Sequence, residues 1–165
     1  MTQATQIETT QVYRVFIKAS AEAIWDAITK PDWTERYGYG GRSTYDLRPG
    51  GSFQSIANAE QQKGGMPEVL LTGEVVEADP PHRLVQTWKA GWEQEPATRL
   101  TYEIKETGKG VCSLTVVHEL EDAPNTAAMV GGRVENAGGG WAEVLSDIKS
   151  LLETGQSMYG QSSGA

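Results

Sequence analysis

Cysteine and histidine are scarce in this chain: one cysteine, Cys112, and two histidines, His82 and His118, in 165 residues. A lone cysteine closes no internal disulfide, so the fold does not depend on an oxidising compartment. Three such residues at unrelated spacings form no metal-ligand motif, and no metal is expected. Basic residues are short as well, 14 against 22 acids, for a formal charge of −8. A surface that tracks phosphates needs a basic stripe, so nucleic acid is not an expected partner. No apolar run approaches the roughly 20 residues of a spanning helix. The first ten residues also lack the charged-then-apolar layout of a secretory leader. A cytoplasmic location without a membrane partner is the expectation. Gly-x-Ser-x-Gly and the phosphate-binding glycine loop are both missing. Gly38-Tyr39-Gly40-Gly41 stands outside any βαβ context, so no cofactor is expected.

What is present reads as one α+β domain. Residues 1–10 and 155–165 are polar or rich in small residues and are expected to be flexible, leaving a single domain over 11–154. Val12 to Lys18 is β-branched and aromatic, which predicts a strand. Ser20 is a helix N-cap with Glu22 in the first turn, and Ile24, Trp25 and Ile28 follow at helical spacing. Pro31 opens a second short helix carrying Trp33. Strand patterns then follow at Ser43 to Leu47, Ser52 to Ala57, Val69 to Ala78, Arg83 to Ala90, Thr98 to Lys105 and Val111 to Leu120. Tight turns or short polar connections separate them, which predicts an antiparallel meander. Thr126 to Val130 has room for one helical turn. A terminal helix puts Trp141, Leu145, Ile148 and Leu152 on one face, with Glu143, Asp147, Lys149 and Glu153 on the rest. One long amphipathic helix is the only element able to cover the sheet.

Three stretches carry a family resemblance: Phe16 to Pro31; Leu47-Arg48-Pro49-Gly50-Gly51-Ser52-Phe53; and Gly73 to Trp88 with its Asp79-Pro80-Pro81 turn. With Gly140-Trp141 opening the last helix, they resemble the START-like (Bet v 1-like, SRPBCC) superfamily. Within it they are similar to the family related to the C-terminal domain of the activator of Hsp90 ATPase. The resemblance spans about Val12 to Glu153 and implies a helix-grip fold: a curved antiparallel sheet of six or seven strands wrapped round the C-terminal helix, with a cavity between. It also implies that the short helices carrying Trp33 and Tyr37 close one end of the grip.

Strand alternation selects the inward residues. Cys112, Leu114, Val116, His118 and Leu120 share one face, as do Leu84, Gln86 and Trp88, and Leu100, Tyr102 and Ile104. The candidate ligand-binding set is therefore Trp33, Tyr37, Trp88, Tyr102, His118, Trp141 and Leu145. His82, beside Pro80-Pro81 in a turn, is expected to be exposed. Glu74 with Glu77, and Glu93 with Glu95, read as solvated surface rather than an acid/base dyad. Gly138-Gly139-Gly140 costs about 1 kcal/mol of helix propensity per residue, which implies a compensating role that the pattern does not name.

Three functions fit these residues. The first is a protein that binds a hydrophobic or aromatic small molecule in the cavity. The second is a cofactor-independent cyclase, dehydratase or hydrolase in which His118, the candidate catalytic residue, moves protons. The third, implied by the resemblance, is an interaction module with an Hsp90-type chaperone as partner. A monomer and a homodimer are equally compatible with the sequence.

Overall fold

The computed structural model describes residues 9–159. The expectations for residues 1–8 and 160–165 lie outside them. In chain order the elements are β1 (Thr10–Ile17), α1 (Ala21–Thr29), α2 (Pro31–Thr34), β2 (Arg42–Tyr45), β3 (Ser52–Ile56) and α3 (Ala59–Lys63). They continue with β4 (Val69–Asp79), β5 (Arg83–Ala90), β6 (Thr98–Gly108), β7 (Val111–Glu119), α4 (Pro124–Val130) and α5 (Gly140–Thr154). The strands form one seven-stranded antiparallel sheet in the order β1-β7-β6-β5-β4-β3-β2. This is the helix-grip architecture: the sheet curves round α5, and the short helices close over the remainder.

Local chemistry explains most boundaries. The Ser20 hydroxyl accepts from the Ala23 N–H at 3.1 Å and starts α1. Pro31 then ends that helix and supplies the first residue of α2. The connection between β3 and β4 contains a helix that the polar composition hides. Asn58 and Gln61 satisfy each other's backbone N–H groups at 2.8 and 2.9 Å, which starts α3. Strict alternation would put Glu74 and Glu77 on opposite faces, but β4 carries a bulge between Val75 and Glu77, and both are exposed.

Register sets the inner face of the sheet. His118 stands opposite Gln11 on one side and Leu100 on the other, and Leu100 in turn opposes Gln86. Val116 opposes Tyr102, which opposes Leu84. Against this face pack Trp141, Leu145, Ile148 and Leu151 of α5 and Ile24, Trp25 and Ile28 of α1. The buried stripe of α5 is wider than the spacing of its large apolar residues suggests, because Leu151 and Asp147 are buried as well.

Both sheet edges are protected by side chains. On β1, Lys149 of α5 donates to the Phe16 carbonyl, while Glu153 accepts from the Lys18 N–H at 2.8 Å. On β2, the Ser43 N–H donates to the Thr34 hydroxyl at 2.8 Å. Capped in this way, neither edge offers an unbroken ladder to another chain.

Two expectations about the ends are corrected. Thr10 is a strand residue paired with Glu119, so the ordered body starts before Gln11. After α5, Gly155 adopts φ +84° and turns the chain back, burying Ser157 against the domain. The glycine-rich segment before α5 also gains a role. Gly140 has φ +69°, and a Cβ there would stand 2.1 Å from the Val130 carbonyl oxygen. At Gly138 a Cβ would lie 2.6 Å from the Tyr39 hydroxyl. Close approach of this loop to α4 and to Tyr39 is what excludes side chains.

Candidate functional site

Three aromatic residues and one histidine meet where α5 starts. Trp141 leaves the first turn of α5 edge-on to His118, with ring centres 5.9 Å apart, and edge-on to Tyr102 at 6.0 Å. Trp88 of β5 also meets the His118 ring edge-on, at 5.3 Å. The Trp141 Nε1–H donates to His118 Nδ1 at 3.0 Å. An indole nitrogen only donates, so Nδ1 is the acceptor and the proton of the neutral ring sits on Nε2. That Nε2–H donates to the Thr98 hydroxyl at 2.7 Å, and the hydroxyl in turn donates to the Trp88 carbonyl at 2.9 Å. Every hydrogen-bonding position of the imidazole is thus used inside the protein. Burial pushes the His118 pKa down to about 3, since a fully enclosed ring resists charge.

Three tyrosines make up the second half of the site. Tyr37 follows α2, Tyr45 ends β2 and Tyr102 lies on β6. Burial raises the pKa of all three phenols well above the usual range, and Tyr37 and Tyr45 each sense Tyr102 electrostatically. Tyr37 donates to the Ala27 carbonyl at 2.8 Å, and Tyr45 donates to Gln86 Oε1 at 2.7 Å while stacking on Phe53 at 4.7 Å. The Tyr102 hydroxyl has no hydrogen-bond partner among the described residues, nor is it one of the fully enclosed unpaired polar atoms. It therefore keeps contact with accessible space, although its phenol is deep enough for burial alone to raise its pKa.

The seven candidate residues separate into two groups. Trp88, His118, Trp141 and Leu145 are buried and packed against one another. Trp33, Tyr37 and Tyr102 keep part of their surface. Trp33 also carries the Arg36 guanidinium over its ring at 4.7 Å. Tyr45 and Gln86 join the site without having been selected. Gln86 was legible, because it lies between Leu84 and Trp88 on the inward alternation. Tyr45 stands out as one of the chain's aromatics, but its four-residue strand is too short for alternation to say which face it takes.

Asp147 belongs to the interior rather than to the solvated face of α5. It is 1% exposed; its Oδ2 accepts from the Gly38 N–H at 2.8 Å and its Oδ1 from the Met158 N–H at 2.6 Å. One carboxylate thereby ties the loop after α2 and the chain after α5 to the central helix. Asp147→Ala is expected to lower stability by about 2–4 kcal/mol, since two part-buried amides lose a charged acceptor. Hydrogen exchange checks it: Gly38 and Met158 amides should exchange faster in the variant, and unchanged rates would contradict the clasp. Glu95 is likewise more than surface. Its carboxylate accepts from the Asn125 and Thr126 N–H groups, both at 2.8 Å, at the start of α4. Burial opposes its charge, yet these amides, the Thr126 hydroxyl and Lys89 together hold its pKa below the usual range. His82 is exposed, as its turn position implies.

With this geometry in place, comparison with known proteins decides the family. The sequence profile for activator of Hsp90 ATPase homolog 1-like proteins matches residues 18–153. The chain belongs to that family.

Solved structures agree in fold. PFC0360w, an Hsp90 activator from Plasmodium falciparum, superposes with a TM-score of 0.63 at 19% identity, over 88% of this chain and 96% of that one. CalU16 from Micromonospora echinospora gives 0.57 at 23% identity, over 74% of this chain and 66% of its own length. DynU16, a protein of the dynemicin biosynthetic locus, gives 0.65 at 18% identity, over 91% of this chain and 49% of that one. The present chain thus spans about two thirds of CalU16 and half of DynU16. A search of curated proteins returned no match. Among the described residues, no helix is long and apolar enough to cross a membrane.

Proposed function

We propose that this member of the Hsp90-activator-like family binds a hydrophobic or aromatic small molecule in a recess between the sheet and α5. The observation that carries this reading is the convergence of Tyr37, Tyr45 and Tyr102: deep phenols that retain accessible surface, one with an uncommitted hydroxyl. Ligand sites are mostly apolar with a few placed polar groups, and this combination has that character. Trp33, Tyr37, Tyr45 and Tyr102 form the proposed lining. Trp88, His118, Trp141 and Leu145 form the packed wall behind it.

The same geometry weighs against proton transfer by His118. To act as a base the ring must first release Trp141, and to act as an acid it must first release Thr98. A chaperone partner rests on different support, namely family membership and the near full-length likeness to the Plasmodium falciparum activator.

Tryptophan emission tests the binding reading. Titration with a panel of polycyclic aromatics should shift or quench emission and raise the melting temperature, because Trp141 adjoins Tyr102. A panel that changes neither overturns the reading. Co-purification of an Hsp90-type chaperone in that case would favour the interaction module.

A further inference from the structure

Asp147 is the one charged side chain among the buried described residues, and both of its oxygens are committed to backbone amides. No lysine or arginine is buried among them. The Arg36 guanidinium over the Trp33 ring keeps part of its surface in solvent, so an ion seated against Tyr102 would shed its water without a buried opposite charge, which is unfavourable. Polar recognition is left to the phenols. Tyr37 and Tyr45 have each spent their proton, on the Ala27 carbonyl and on Gln86, and offer only lone pairs inward. Tyr102 alone has an O–H that the protein does not use. Its ring is held by the edge of Trp141, so the hydroxyl has a defined position.

We infer that the Tyr102 hydroxyl is the polar anchor of the recess, and that the ligand class is an uncharged molecule whose carbonyl or hydroxyl oxygen accepts from it. This rests on the proposed binding function and narrows it. A ligand hydroxyl would gain further by donating to the lone pairs of Tyr37 or Tyr45. A hydrocarbon of the same shape would leave the Tyr102 O–H unpaired, and an anion would lack a buried counter-charge.

Three probes of one shape test it at pH 7: naphthalene, neutral 1-naphthol and anionic 1-naphthoate, each titrated against wild type and Tyr102→Phe. The substitution removes no bond within the fold, so the variant should melt with the wild type. Wild type is expected to prefer naphthol to naphthalene by about 3- to 10-fold, the worth of one neutral hydrogen bond. Naphthoate should bind weaker than naphthol by on the order of 100-fold. Tyr102→Phe should abolish the preference for naphthol, with naphthalene binding the variant at least as tightly as the wild type because no O–H is left unpaired. A preference that survives in Tyr102→Phe, or naphthoate binding as tightly as naphthol, overturns the inference while leaving a binding recess. Failure of all three probes to bind the wild type overturns the recess itself.

Discussion

Replacing Trp141 by alanine is expected to destabilise the domain by roughly 3–5 kcal/mol from lost packing alone. A further ~1–3 kcal/mol follows from an imidazole nitrogen left without its donor in a dry site. Trp141 is 8% exposed, meets His118 and Tyr102 edge-on, and is the donor that holds Nδ1. Trp141→Phe separates the two contributions, since it keeps most of the ring area but lacks the N–H. The alanine variant should show the larger loss in urea denaturation and the phenylalanine variant an intermediate one. Equal midpoints for wild type and Trp141→Ala would mean that the start of α5 contributes nothing to the core.

The second large effect is acid destabilisation through His118. Burial pushes its folded-state pKa down to about 3, whereas an unfolded histidine titrates near 6.5. Between those values the unfolded chain holds the proton and the folded chain does not. The stability linked to this group is therefore fully present above about pH 6.5 and declines as pH falls towards 3. At about 1.4 kcal/mol per pH unit, the full loss is roughly 4–5 kcal/mol. The interval from pH 6.5 to 5 isolates the histidine, because Glu95, Glu143 and Glu153, all held below the usual carboxylate range, titrate lower. Urea midpoints measured across that interval should fall for wild type. In His118→Phe they should start lower, since the Trp141 N–H loses its acceptor, and then stay level. A wild-type midpoint constant from pH 7 to 5 would show that the folded ring takes up a proton as readily as the unfolded one.

Much of this architecture is dictated locally. Period-two alternation in β5, β6 and β7 put Gln86, Trp88, Tyr102 and His118 on one face, and the register keeps them there. The Ser20 cap, Pro31 and the Pro49-Gly50-Gly51 turn ended and started elements where their backbone chemistry requires. The spacing of Trp141, Leu145 and Ile148 marked the covering helix, and together these are sufficient for the order of elements and the inward set.

Tertiary structure decided what each inward residue does. Whether His118 is a free base or a satisfied ring depends on Thr98, 20 residues away, and Trp141, 23 away, and no pattern within one strand encodes those partners. Asp147 occupies a flank of α5 that periodicity assigns to water; it is buried because the loop after α2 and the chain turned back at Gly155 both close on it. Glu95 belongs with α4 because a loop places it against amides 30 and 31 residues further on. A side chain's own spacing reports which face it occupies. Its protonation, its hydrogen-bond commitments and its access to solvent are set by groups brought near from distant parts of the chain, because hydrogen bonding and desolvation act through space rather than along the sequence.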